Sequence, residues 1–151
     1  VLNIIVRQAV VEDIPRLYEL GFGAYTKESL AAFEMDLSEE KIKTVASLVL
    51  QAGWSFVLEV DDQIVGCIIG ASSPFPFSDA LVYGELMFFV QKEFRKFTRA
   101  FLTRVEMVLK TRGVAKFILA NVETNDGEKI DRFYKILGFK RLEIHYMKSL
   151  N

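Results

Sequence analysis

The pattern of apolar and polar positions along the chain predicts an alternation of strands and helices. Residues 3–8 favour a strand. Glu12-Asp13-Ile14-Pro15 then reads as the first turn of a helix, where acidic groups meet the positive dipole end and proline is tolerated. Ile14, Leu17, Tyr18, Gly21, Phe22 and Tyr25 recur at helical spacing and give that helix one apolar face. A second helix is predicted from Ser38, a good cap, carrying Ile42, Val45, Leu48 and Val49 as far as Gly53.

The period then changes. Residues 54–60 and 64–71 read as antiparallel strands joined at a tight Asp61-Asp62 turn, and residues 72–79, with Pro74 and Pro76, read as a loop. Residues 81–90 are nearly continuous in apolar side chains, as a buried central strand would be. A helix over about 98–112, a strand over 115–122, a helix over about 126–137 and a last strand through Tyr146 complete the order β-α-α-β-β-β-α-β-α-β. A hairpin-connected half joined to a β-α-β half implies a single α/β domain over residues 1–151, with a mixed, mostly antiparallel sheet flanked by helices. The crossover from residues 81–90 to 115–122 is expected to be right-handed.

Composition narrows the function. The chain has 151 residues, about half of them apolar and 13 of them Phe, which is enough for one ordered core. Its 19 basic and 20 acidic side chains nearly cancel and form no long runs, which argues against duplex nucleic acid or an anionic membrane as a charge-held partner. Cys67 is the only cysteine, so no intrachain disulfide and no multi-thiolate metal site is expected. A reduced, cytoplasmic setting is the simplest expectation. Residues 1–10, interrupted by Asn3 and Arg7, are not organised as a signal peptide.

The richest segment for chemistry follows the central strand. A strand ending at Val90 leads into a short basic loop and then a helix with the apolar stripe Phe101, Leu102, Val105, Val108 and Leu109. Backbone amides at such a helix start are unsatisfied within the helix and can bind a pyrophosphate. Arg95, Lys96 and Arg99 add positive charge there, although a solvated surface turn would carry the same residues. Further on, Ile130, Phe133, Tyr134 and Leu137 form the apolar stripe of the last helix, and Gly138 supplies a left-handed exit.

Over its whole length the chain resembles the GNAT superfamily of acetyl-CoA-dependent N-acetyltransferases. Arg95-Lys96-Phe97-Thr98-Arg99-Ala100 is similar to the family's pyrophosphate loop, Arg/Gln-x-x-Gly-x-Gly/Ala, with Thr98 standing where the family has glycine. The run from Asn125 through Tyr134 to Leu137-Gly138-Phe139 resembles the family's asparagine-to-tyrosine helix. Ser73-Pro74-Phe75-Pro76-Phe77 and His145-Tyr146 resemble the phage- and prophage-borne branch.

The resemblance implies acetyl-CoA as cosubstrate, held by Phe88, Phe89, Val90, Arg95, Lys96, Phe97, Thr98, Arg99, Ala100, Asn125 and Tyr134, and no metal. It also implies that Tyr134 is the acid protonating the departing thiolate, although a core tyrosine with a satisfied hydroxyl gives the same sequence. Asn125, with Glu128 three residues on, would equally form a capping box. Glu85, a lone carboxylate in an apolar strand, lies close to where some relatives place their base, with Glu123 in reserve and a solvent-facing role as the alternative. His145 and Tyr146 would line an acceptor pocket or be structural. The acceptor expected is a small-molecule or peptide amine, and a homodimer is open. Two rivals remain: a non-catalytic CoA-binding member of the fold, and an interaction module using exposed phenylalanines such as Phe75 and Phe77.

Overall fold

The computed structural model describes residues 1–22, 35–122 and 126–150. Five strands form one sheet in the order β1-β2-β3-β4-β5. They are β1 (Ile4–Gln8), β2 (Phe56–Val60), β3 (Gln63–Pro74), β4 (Leu81–Val90) and β5 (Val114–Ile118). The first three pairings are antiparallel and β4–β5 is parallel, so the sheet is mixed and mostly antiparallel, as the element order implies. The β2–β3 turn places both Asp61 and Asp62 at positive φ, 48° and 64°, the backbone a two-residue hairpin turn of matching twist requires.

Among the described residues four α-helices flank the sheet: α1 (Ile14–Leu17), α2 (Glu39–Gln51), α3 (Thr98–Thr111) and α4 (Gly127–Ile136). The Ser38 hydroxyl caps α2 by accepting the Lys41 N–H at 3.3 Å. The first helix is shorter than its apolar spacing predicts: it runs into a wider turn, Tyr18–Phe22, where Gly21 takes φ 112°. Tyr25, the last residue of that predicted stripe, lies outside the described residues. Asp13, predicted as a dipole-facing acid, is buried and receives both guanidinium nitrogens of Arg7, at 2.8 and 2.9 Å. Arg7 also donates to Glu59 at 2.8 Å, tying the start of the chain to β2.

Period-two alternation sends the strand side chains into two cores. Val57, Cys67, Ile69 and Met87 meet Leu17, Leu20, Ala46 and Leu50 on the α1–α2 face. Phe56, Leu58, Ile68 and Tyr83 meet Phe101, Leu102, Val105 and Leu109 on the α3 face. Phe133 and Leu137 of α4 pack against this second core from its margin. Burying an aliphatic or aromatic side chain of this kind contributes about 1.5–3 kcal/mol, so these two layers dominate the fold's stability.

Two predicted boundaries move. β3 runs on to Pro74, shortening the predicted 72–79 loop, and β5 stops at Ile118 rather than 122. The last predicted strand does not form among the described residues. Leu142, Ile144 and Tyr146 alternate as a strand would, but they stand 68%, 63% and 92% exposed and no ladder joins them to the sheet. Among the described residues no helix is long and apolar enough to cross a membrane.

Candidate active site

The site grows from a fork in the sheet. β4 is ten residues long, yet β5 pairs only with its first part, from Leu81 opposite Val114 to Gly84 opposite Ile118. Beyond that point the two strands part, and Glu85 is the next residue on β4. A bulge in the β3–β4 ladder fixes its aim: Ile69 pairs with Met87 and Gly70 with Glu85, leaving Leu86 as the extra residue, 60% exposed. The register therefore keeps Glu85 on the face it shares with Tyr83, two residues earlier.

At the fork the two predicted catalytic side chains converge on one residue. The Ala120 N–H donates to Glu85 Oε1 at 2.9 Å, and the Tyr134 hydroxyl donates to the Ala120 carbonyl at 3.1 Å. The other carboxylate oxygen of Glu85, Oε2, is buried with no hydrogen-bond partner. Burial raises the Glu85 carboxyl to about 7, against the pull of the Ala120 bond, which favours the charged form. Glu85 thus titrates where a general base is most effective near neutral pH.

The Tyr134 ring is positioned by aromatic contacts. It lies 6.2 Å from Phe133 and 5.7 Å from Phe139, and Phe139 stacks edge-on at 5.5 Å against Phe117 of β5. Phe117 in turn meets Tyr83 at 5.3 Å, so a row of rings runs from α4 back to β4 beneath Glu85. Phe139 belongs to the Leu-Gly-Phe run legible in the sequence, and Gly138 exits the helix at φ 91° as predicted.

The predicted pyrophosphate segment has a different form from the expected open loop. Residues Lys92–Phe97 wind into a 3₁₀ turn that runs directly into α3, and Thr98, at φ −56° and ψ −43°, is helical. The Thr98 N–H is bonded to the Arg95 carbonyl. A glycine here could take the left-handed backbone of an open loop; threonine favours the wound one. Arg95, Lys96, Arg99 and Ala100 are exposed, while Phe97 and Thr98 are half-buried. Arg95 Nε reaches the Val90 carbonyl at 3.4 Å, and the Lys96 ammonium sits 5.1 Å from the Phe97 ring centre. Phe88 packs on Phe101 of α3 at 6.1 Å, Phe89 joins the α1–α2 core, and Val90 is buried.

Some predicted residues fall elsewhere. Asn125 and the reserve base Glu123 lie outside the described residues; α4 begins at Gly127 with Asp126 before it, and the Asp126 side chain makes no capping bond. His145 and Tyr146 are exposed on the irregular C-terminal run, with His145 2.9 Å from Glu143. Two site residues escaped the sequence reading. Ala120 acts only through its backbone, which leaves no side-chain signal. Tyr83 had one: its two-residue spacing from Glu85 on a strand puts both on the same face.

The sequence from residue 14 to residue 139 matches the model of the acetyltransferase (GNAT) family. The chain belongs to this family. No curated protein matches it, but many solved structures share the GNAT fold at low sequence identity. A predicted acetyltransferase with acetyl-CoA from Clostridium acetobutylicum superposes with a TM-score of 0.73 at 16% identity, covering 99% of this chain and 97% of that one. A ribosomal-protein-alanine N-acetyltransferase from Brucella melitensis biovar Abortus 2308 gives 0.70 at 16% identity, with all of both chains covered. An aminoglycoside acetyltransferase from an uncultured soil metagenomic sample gives 0.72 at 13% identity over 99% of each chain.

Proposed function

We propose that this GNAT chain transfers an acetyl group from acetyl-CoA to an amine by direct attack on the thioester. The observation that carries the reading is the meeting of Glu85 and Tyr134 at Ala120, one at its N–H and the other at its carbonyl, at the point where β4 and β5 part. The residues fit the cosubstrate there. β5 no longer pairs with β4 beyond Gly84, and the 3₁₀ turn that leads into α3 brings the exposed cations Arg95, Lys96 and Arg99 to the end of β4. Phe88, Phe89, Val90, Phe97, Thr98, Ala100 and Asn125 complete the proposed binding set.

Bound acetyl-CoA supplies the activated carbonyl. Glu85, through its carboxylate, takes the proton that an ammonium acceptor must lose before its lone pair can attack. Tyr134 gives its hydroxyl proton to the departing sulfur, which requires the Tyr134 O–H to swing from the Ala120 carbonyl toward the fork. The aromatic row holds the ring while only the hydroxyl hydrogen turns.

The acceptor proposed is a small-molecule or peptide amine. The enzymes of the same fold act on acceptors as different as an aminoglycoside and a ribosomal-protein alanine by their names. One observation favours a second reading, a scaffold that binds CoA without turnover: the Thr98 amide is already bonded to Arg95, leaving one donor fewer for a pyrophosphate. A melting-shift titration with acetyl-CoA tests the shared part of both readings. Release of free thiol with a panel of amines then separates them: turnover that Glu85→Gln and Tyr134→Phe both abolish supports the enzyme, and binding without turnover for any amine supports the scaffold.

A further inference from the structure

Three buried side-chain oxygens find no hydrogen-bond partner among the described residues: Ser72 Oγ, Tyr83 Oη and Glu85 Oε2. They are not scattered. Ser72 pairs with Tyr83 and Gly70 with Glu85 across the same β3–β4 ladder, so all three project from one face of two adjacent strands. Tyr83 leans diagonally across that ladder. Its hydroxyl lies 2.5 Å from where a side chain on Gly70 would begin, which places it over the residue opposite Glu85.

We infer that Ser72, Tyr83 and Glu85 together hold one buried water, and that Tyr83 is a positioning residue serving the second carboxylate oxygen of Glu85 through it. Buried polar atoms are nearly always bonded, and a buried water typically makes about three bonds to otherwise unsatisfied groups. Here three such groups share one face of two paired strands, and the Tyr83 hydroxyl lies over Gly70, the residue opposite Glu85. Tyr83 is fully buried, so a hydroxyl at this position needs a reason: phenylalanine would fill the same space without stranding an oxygen.

The inference rests on the reading of Glu85 as a base only for its functional meaning. With the water in place, Tyr83 donates toward Glu85 and favours the carboxylate over the acid. That opposes the burial that otherwise keeps the group protonated, and it fixes which oxygen stays available beside Ala120. Among the described residues the other titratable group on this side is Tyr134 on α4, linked to Glu85 through the N–H and carbonyl of Ala120; the buried Cys67 thiol on β3 points to the opposite face of the sheet, where the Glu85 charge still reaches it. Cys67 is held up at about 12 by burial and by the Glu85 charge, so it stays neutral throughout the range in which Glu85 titrates.

The test needs no acceptor. Carbon-13 NMR of glutamate-labelled protein follows the Glu85 carboxyl through a pH titration, its resonance assigned by its disappearance in Glu85→Gln. Tyr83→Phe keeps the ring and should move the midpoint up by about one unit. Ser72→Ala should move it the same way by less, and Ser72→Thr, which keeps a hydroxyl, should leave it in place. An unmoved midpoint in a folded Tyr83→Phe variant overturns the inference. If that variant fails to fold, an unmoved midpoint in Ser72→Ala overturns it instead. The base reading is decided separately: a Glu85→Gln variant that keeps the parent's acidic limb removes the base whatever the midpoints do, and one that loses the limb while the midpoints stay unmoved leaves the base and removes Tyr83.

Discussion

Glu85 and Tyr134 each bond to a different side of the same residue, Glu85 accepting from the Ala120 N–H at 2.9 Å and Tyr134 donating to its carbonyl at 3.1 Å. One short irregular stretch after β5 therefore sets the spacing between the proposed base and the proposed acid. The fork produces this arrangement: only because β5 ends at Ile118 does Ala120 become free to turn its amide toward β4.

If Glu85 is the base, activity should rise with pH through an acidic limb centred near 7, as the buried carboxyl, raised to about that value, loses its proton. Glu85→Gln keeps the shape and the acceptor oxygen for Ala120 but removes the limb. A pH-rate profile of both proteins checks this; a variant with the parent's limb would exclude Glu85.

The same titration links to stability with a definite sign. The folded carboxyl is raised to about 7 from the ordinary 4.5, so between those values the folded state binds more protons than the unfolded one. Stability contributed by this group is full below 4.5 and falls as pH rises through 7. Glu85→Gln carries no charge at any pH and should be more stable than the parent above pH 7, by on the order of 3 kcal/mol. Urea melts at pH 4 and pH 8 measure the difference, which should nearly vanish at the lower pH.

Tyr134→Phe should lower turnover by roughly 10²-fold while keeping acetyl-CoA affinity, since the rings of Phe133 and Phe139 still hold the side chain. Losing the bond to the Ala120 carbonyl should cost about 1 kcal/mol of stability. Parent-like turnover would leave the hydroxyl a purely structural role.

Arg95→Ala should weaken acetyl-CoA by about tenfold or more, because a charge-assisted contact contributes about 1.5–3 kcal/mol. Its Nε already leans on the Val90 carbonyl at 3.4 Å, so the side chain starts close to the end of β4. Calorimetric titration of both proteins with CoA gives the answer, and equal dissociation constants would take Arg95 out of the site.

Most of the sheet was legible because apolar period and turn chemistry agree there. Residues 81–90 form the strand their apolar run predicts, Asp61-Asp62 makes the predicted turn, and Ser38 and Thr98 open α2 and α3 where expected. The first helix was overestimated because the Ile14-to-Tyr25 spacing ignores Gly21, whose positive φ breaks the helix. The end of the chain was misread for a different reason: the alternation of Leu142, Ile144 and Tyr146 is real, but a pattern alone does not make a strand, and these residues stand exposed with no ladder to the sheet. At the candidate site, Glu85 stood out as a lone carboxylate in an apolar strand, and Tyr134 through the resemblance of its helix to the family's asparagine-to-tyrosine helix. Their shared partner did not, because Ala120 contributes only its backbone, and the bulge that aims Glu85 depends on pairing no local sequence encodes.

Gly70 offers the strictest test of the packing around the site. A Cβ there would lie 2.5 Å from the Tyr83 hydroxyl oxygen, 2.6 Å from its Cζ and 2.6 Å from the Gly84 carbonyl oxygen, all closer than real Cβ contacts allow. The hydroxyl and ring belong to a fully buried side chain, and the carbonyl is backbone in the neighbouring strand, so none can yield as a flexible surface group would. Gly70→Ala should therefore destabilise the protein by about 1–3 kcal/mol, the usual cost of overpacking. Removing the hydroxyl cannot undo it: in Gly70→Ala/Tyr83→Phe the ring carbon and the Gly84 carbonyl still stand at 2.6 Å, and the double variant should stay well below Tyr83→Phe alone. Thermal melts of the parent, both single variants and the double variant close the cycle. A Gly70→Ala protein as stable as the parent would mean that the Tyr83 ring does not lie across Gly70, and the water shared by Ser72, Tyr83 and Glu85 would lose its geometric basis.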